Sequence, residues 1–387
     1  MASSWAGSAT WQTTDFYHVA DAASRVGRRV GRRASSNSGE AGRVGALTSL
    51  PRGRSSMATQ ADVAARAGVS RRTVSNVVNG YPHISADVLR RVNQAIAELG
   101  YLPSQVARSL RLGRTGVIQL VVPELDVAYF AELARRVVKA AEDRGYIVLV
   151  RQTLGDHAVE QDALLGPAAQ YAEGTILSPV GGGTDWLDES PRDAPVVLIG
   201  ESGRAGVYDH VGIDDEAAAY DATRHLIARG RRRIAFIGSD PDDLLTMARE
   251  REAGYRRAVA EAGADVDDAL VLPVSAYHRD DGRDALRRLW RAPEHPDAIF
   301  CATDLLALGA LREAFDIGVG VPGDLAVVGF DDLEEGRYSI PSLTTISPDK
   351  RRIAELAVEL VVKRIDDGAV DPAEMVIPHR LVVREST

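Results

Sequence analysis

An α/β body built as two parallel-sheet lobes, preceded by a small all-α unit, is the architecture this sequence predicts. Three observations lead there. From about residue 116 the chain alternates short apolar runs with amphipathic helical stretches, the pattern of parallel strands covered on both faces by helices. The strand runs are too many for one comfortable sheet. Between residues 57 and 102 the pattern is helical only, in three short segments.

The elements follow in order. Residues 1–56 are rich in Ser, Gly, Ala and Arg, hold no sustained period and are expected to be disordered. Val63, Ala64 and Ala67 recur at helical spacing, and Gly68-Val69-Ser70 breaks them. Gly68 can take the positive φ that ends a helix, and Ser70 brings an oxygen to cap the next. Val74, Val77 and Val78 resume the period. Two short helices about one tight turn make a helix-turn-helix, a unit that sets its second helix in the DNA major groove. A third helix is expected over 86–99 behind Ser85, with Val88, Val92, Ala95, Ile96 and Leu99 inward and Arg90 and Arg91 outward. Pro103 stops it, 104–110 is a short helical candidate, and Leu112 to Gly116 is a linker.

The runs 116–123, 146–152, 175–178, 196–200, 234–238, 270–274, 298–302 and 325–330 read as buried strands, most of them followed by a helix. Residues 375–383 form a further strand-like run. The expected domains are therefore an extension over 1–56, a headpiece over 57–102, a hinge and linker over 103–115, and an α/β body over 116–387.

Charge and composition narrow the function. The net charge of −9 hides a division: 1–56 and 57–114 each carry 8 arginines against 3 acids, and the remainder holds 30 basic against 49 acidic residues. A basic head on an acidic body suits a module that grips phosphate backbone, with a body that does not adhere to it. The extension either adds non-specific DNA affinity as a basic tail or precedes a true start at Met57. No apolar run of about 18 residues is present, so no membrane span is expected. The N-terminus lacks the apolar core of a secretory signal, and the single Cys301 excludes an internal disulfide and a cysteine-rich metal site. These features point to the cytoplasm. No catalytic constellation, metal set or cofactor motif is visible. Gly181-Gly182-Gly183 lacks the Lys-Ser/Thr of a phosphate loop, and the pairs Asp214-Asp215, Asp242-Asp243 and Asp331-Asp332 read as helix starts or solvated loops.

Thr59, Asp62-Val63-Ala64, Ala67-Gly68-Val69-Ser70, Thr73-Val74-Ser75, Asn79-Gly80, Ser85, Arg91-Val92, Leu99-Gly100-Tyr101, Pro103, Ala107 and Leu110 fall in the headpiece pattern of the LacI family of bacterial regulators. The chain resembles that family over about 57–387. The resemblance implies two Rossmann-like lobes of the periplasmic-binding-protein type, crossed three times by the chain near 215, 347 and 377. Lobe 1 then takes 116–215 and 347–377, and lobe 2 takes 216–346 and 378–387.

At the DNA end, Arg71, Arg72 and Asn76 lie on the face opposite Val74, Val77 and Val78, where the family varies to choose its operator. Arg suits guanine O6/N7 and Asn suits adenine N6/N7. A phosphate contact by one arginine is the open alternative. Thr59, Ser70, Thr73, Ser75, Asn79 and Ser85 match the family's short phosphate donors, and some of them serve equally as helix caps. Residues 104–110 resemble the family's hinge helix. Leu110 matches the leucine that wedges into the minor groove, and Ala107 the small residue that lets two hinges approach. Ser104 replaces the usual Asn.

At the effector end, Arg251 matches the arginine that grips ligand oxygens, and Asp331 an acceptor for hydroxyls or amines. Thr303 matches a polar cleft residue, with Asp304 beside it as the expected cap of the next helix. Tyr129, Phe130 and Tyr277 are aromatic candidates for stacking on a ring, with core packing as the alternative. Tyr171 and Gly200 stand where the family is more polar, which leaves the first-lobe side of the cleft less polar.

The resemblance implies a sequence-specific DNA-binding regulator, a repressor, whose affinity for a palindromic operator is set by a small effector, a sugar or related metabolite, between the lobes. Competing readings are a same-fold solute-binding protein, which predicts no headpiece, and an enzyme on a doubly wound fold. A regulator answering to a protein partner is a third. A homodimer is expected rather than a tetramer, since no leucine heptads follow the 375–383 run. Leu133, Ala134, Val137, Val138 and Ala141 are the candidate dimer face, unless they pack on their own sheet.

Overall fold

The structure, a computed structural model, describes residues 58–78, 80–101, 114–167, 169–180, 195–200, 207–240, 245–368 and 371–387. The 1–56 extension, Asn79, Ser104, Ala107, Leu110, the Gly181-Gly182-Gly183 turn and Asp242-Asp243 lie outside the described residues.

Three helices form the headpiece: α1 (Gln60–Ala67), α2 (Arg71–Val78) and α3 (Ala86–Leu99). Each helix start is fixed by a local oxygen. Thr59 and Asp62 form a reciprocal capping box at α1, Ser70 Oγ accepts the Thr73 amide (3.1 Å), and Ser85 Oγ accepts the Val88 amide (3.4 Å). Such caps are worth about 1 kcal/mol each. Gly68 ends α1 at φ 64°, a left-handed conformation that a Cβ would strain. Val63, Ala64, Ala67, Val74, Val77, Val92 and Ala95 are buried together, and Val69, Val88, Ile96 and Leu99 close over them.

Among the described residues the body is two six-stranded sheets. Its elements are β1 (Val117–Val122), α4 (Ala128–Glu142), β2 (Ile147–Gln152), α5 (His157–Leu165), β3 (Gly174–Leu177), β4 (Val196–Ile199), β5 (Asp209–Gly212), α6 (Asp215–Ala228), β6 (Ile234–Ser239), α7 (Thr246–Glu261), β7 (Val271–Pro273), α8 (Arg279–Trp290), β8 (Ala298–Cys301), α9 (Asp304–Asp316), β9 (Ala326–Phe330), α10 (Glu334–Tyr338), β10 (Thr344–Pro348), α11 (Lys350–Asp367), β11 (Glu374–Val376) and β12 (His379–Val382). The first sheet runs β11-β5-β4-β3-β1-β2 and the second β12-β10-β9-β8-β6-β7. All pairings are parallel except β12, which runs antiparallel to β10. The chain leaves the first sheet after β5, returns with α11 after β10, and crosses once more between β11 and β12. Among the described residues no helix is long and apolar enough to cross a membrane.

Continuous apolar strands produce the cores. Ile118, Leu120, Ile176, Val197 and Ile199 are buried beneath α4 and α11 in the first lobe, and Phe236, Phe300, Val327 and Val328 between helices of the second. Two fully buried strands lack that signature. The β5 run Asp-His-Val-Gly is buried because its polar groups are paired: Asp209 takes two bonds from Arg364 and one from the Ala373 amide (2.7 Å), and His210 sits between Glu374 (2.5 Å) and the Gly200 carbonyl (3.1 Å). β10 is likewise polar, with Thr344, Thr345 and Ser347 buried and hydrogen-bonded. The 375–383 run is two strands, one in each sheet.

One expectation is corrected. Leu133, Ala134, Val137 and Ala141 do not form an open dimer face; they are buried between their own sheet and α11, and Val138 is half-buried. Apolar surface remains instead on edge strand β2, where Ile147 is 59% and Leu149 45% exposed.

Candidate functional site

The headpiece presents α2 as a basic surface. Arg71 and Arg72 are exposed at its first turn, and Asn76 lies half-buried one turn on. Val74 and Val77, on the opposite face, are buried and fix the rotation of the helix about its axis. The assigned phosphate donors are partly engaged within the chain. The Thr59 hydroxyl donates to Asp62 (2.7 Å), Ser70 and Thr73 hydroxyls bond each other (2.9 Å), and Ser85 caps α3. The Thr59 bonds hold the Asp62 carboxyl below its usual range. Ser75 is half-buried on α2.

The second site is a cleft of about 200 Å³ between the lobes. It lies past the carboxyl ends of the strands, where open α/β sheets bind ligands. From the first lobe come Glu124 beyond β1, Ser178 beyond β3, Gly200 beyond β4, Ile213 beyond β5, and Tyr129 and Phe130 at the head of α4. From the second come Arg251 on α7, Tyr277 and His278 before α8, Thr303 before α9, and Phe330 and Asp331 at the end of β9. Tyr129, Phe130, Arg251, Tyr277, Thr303 and Asp331 are thus gathered on one cavity. Tyr171 is not among its lining residues, and 65% of its surface is exposed.

Arg251 is the most constrained of these side chains. It is 8% exposed. Its Nε donates to Asp215 (2.6 Å), its Nη1 donates to the Ala302 carbonyl (2.6 Å), and its guanidinium lies 3.5 Å from the centre of the Phe330 ring. Burial works against its charge, but Asp215 and Asp331 outweigh burial and raise its pKa. Asp331 sits at φ 114°, a strained conformation for a non-glycine residue. Burial pushes its carboxyl up to about 6, against the pull of Arg251 and Lys350. Burial, with Asp331 nearby, also raises the Tyr129 phenol. Tyr129 and Phe130 meet edge to face at 5.2 Å. Tyr277 adopts φ 57° and donates its hydroxyl to the Gly238 carbonyl (3.1 Å). At the rim, Glu124 and His278 approach to 3.5 Å across the two lobes.

Thr303, not Asp304, caps α9: its hydroxyl accepts the Leu306 amide (3.3 Å). Asp304 is turned inward and fully buried. It accepts the Leu333 amide (2.7 Å) and the Thr345 hydroxyl (2.6 Å), which ties the 331–333 loop to β10. Sequence reasoning also missed Asp215, which looked like a helix-start acid and is the partner of Arg251. It missed Phe330, Glu124 and His278, whose place at the cleft only the packing of strand ends reveals.

Residues 59–104 match the family described as bacterial regulatory proteins, lacI family, and residues 223–387 match a periplasmic binding protein-like domain. The chain is 32% identical to catabolite control protein A of Priestia megaterium over 84% of this chain and 98% of that one. Among solved structures, the transcriptional regulator CelR in complex with cellobiose is 33% identical with a TM-score of 0.63, covering 85% of this chain and 100% of its own. The lac repressor dimer bound to operator and an anti-inducer is 26% identical with a TM-score of 0.73, covering 85% and 98%.

Proposed function

The chain belongs to the LacI family of bacterial regulatory proteins, DNA-binding repressors governed by small effectors, and on that premise we propose that it is a dimeric, cytoplasmic repressor, not an enzyme. It reads a palindromic operator through Arg71, Arg72 and Asn76. The effector, a small sugar-like metabolite, binds between the lobes. The observation that carries the reading is the pairing of an exposed basic recognition helix with a cleft between the lobes that holds the buried Arg251–Asp215–Asp331 group. A solute-binding protein needs the second feature and has no use for the first.

The cleft chemistry favours an uncharged, hydroxyl-rich ring. Its size, about 200 Å³, lies below the roughly 300–1,000 Å³ of pockets for drug-sized ligands. Glu124, Asp215 and Asp331 outnumber Arg251 among its charged linings, so a phosphorylated or carboxylated ligand meets like charge. Tyr129 and Phe130 supply apolar faces on which a ring can lie. Arg251 uses Nε and Nη1 internally, which leaves Nη2 to a ligand oxygen. Effector binding changes operator affinity by favouring one arrangement of the lobes.

The test is selection of a DNA site from a random library by the purified chain. A palindrome is expected, and Arg72→Ala should weaken binding by about 1–3 kcal/mol and relax one base position in each half-site. An equal loss on all sequences would turn Arg72 into a phosphate contact. Recovery of no preferred sequence would overturn the proposal.

A further inference from the structure

Lys350 is a fully engaged lysine at the junction of the lobes, and beyond its pull on the Asp331 carboxyl it has no part in the operator or effector chemistry described so far. It stands where the chain passes from β10 of the second sheet into α11, which packs on the first. The residue is 5% exposed. An ammonium has three protons to donate, and here each meets an acceptor: the Asp331 carbonyl (2.6 Å), the Asp332 carbonyl (3.2 Å) and Glu132 Oε2 (2.8 Å). The first two acceptors belong to the second lobe and the third to α4 of the first. The two carbonyls come from consecutive residues at positive φ, 114° and 51°, so a bonded cation holds a loop of uncommon backbone conformation. Asp331 is also the acidic cleft residue, and Glu132 lies one turn along the helix that begins with Tyr129 and Phe130. Both walls of the cleft therefore end on one nitrogen.

We propose that Lys350 is the positioning residue that fastens the Asp331-Asp332 loop to α4 and so sets the angle between the lobes. Displacement of Asp331 by a ligand then reaches the first lobe through Nζ and Glu132, with no need for a change in the sheets. Glu132 is suited to this end of the link. Burial disfavours its charge, but bonds from Lys350 and Arg136 outweigh burial and keep it ionised. The consequence for operator control rests on the cleft being the effector site; the link itself does not.

The experiment uses neither operator nor effector, so its failure and the failure of the effector reading are told apart. Spin labels are placed on the full chain at Asp126→Cys and Asp280→Cys, two residues beyond the Glu124–His278 contact on either lobe. Cys301 is fully buried with its thiol pushed up, and takes no label. With labelled chain diluted into an excess of unlabelled chain, so that distances between protomers drop out, double electron–electron resonance should give one narrow distance distribution in the parent. Lys350→Met and Glu132→Leu should each add a longer, broader component, and the double variant should add no more than either alone. Arg136→Met, which removes the other Glu132 partner on the same helix, should leave the parent distribution. If Lys350→Met fails to fold, Glu132→Leu, which leaves Nζ no acceptor on the first lobe, decides. A parent-like distribution in folded Glu132→Leu or Lys350→Met overturns the proposal. So does equal broadening by Arg136→Met.

Discussion

Replacing Arg251 with Met isolates the charge at the cleft floor, because the aliphatic stem is kept. Arg251 is paired with Asp215 at 2.6 Å, and their side chains are only 10% and 7% exposed. Removing the guanidinium leaves Asp215 buried without a cation. Breaking a buried pair from one side costs about 3–5 kcal/mol. The contact over Phe330 adds up to about 2 kcal/mol when desolvated, part of which a Met sulfur retains. A net loss of about 4 kcal/mol is expected. With a urea slope of about 3 kcal/mol/M, the midpoint followed by circular dichroism should fall by about 1.3 M. Adding Asp215→Asn removes the stranded charge and should restore most of the loss. A single variant that loses less than about 1 kcal/mol, or a double variant no better than the single, would refute the claim that the pair is a mutually dependent buried unit.

Asp331, ordinarily near 3.8, is held at about 6 by burial. The folded chain then keeps a proton that the unfolded chain releases, so stability is lost as pH rises from about 4 through 6. At about 1.4 kcal/mol per unit the cost at pH 7 is about 3 kcal/mol, and Asp331→Asn should gain that much on the parent between pH 4 and 7; parallel stability curves would contradict it. Leu110→Ala should reduce operator bending in a circular-permutation gel while ligand binding at the cleft persists; an unchanged bend angle counts against the minor-groove wedge. Sedimentation equilibrium at micromolar concentration should give twice the chain mass, and a stable species at four times that mass defeats the dimer expectation.

The headpiece was legible because its signals are local. Gly68, Ser70 and Ser85 act within one turn of where they stand, and the valines that bury α2 recur within five residues. The body was legible as a fold because most of its parallel strands are apolar throughout. What escaped depends on partners remote in sequence. β5 reads as a polar loop until Arg364, 155 residues later, neutralises Asp209. Asp215 looks like a solvated helix start until Arg251 arrives beside it. Lys350 heads a Lys-Arg-Arg run with no local signal of burial, and only the crossing of the chain between lobes places its nitrogen among buried acceptors. The face of α4 misled for the same reason: periodicity marks an apolar stripe, not which neighbour covers it.

The central claim is that a ligand in the cleft governs operator affinity through Arg251. It is tested by titrating a fluorescent operator, selected by the chain itself, against parent and Arg251→Met proteins with and without neutral sugars such as cellobiose, sugar phosphates and nucleobases. A neutral sugar should shift parent affinity at least about tenfold, a coupling of about 1.4 kcal/mol, while folded Arg251→Met binds operator as the parent does and shows no shift. An equal shift in both proteins, or a parent that binds operator identically with every compound, would contradict it.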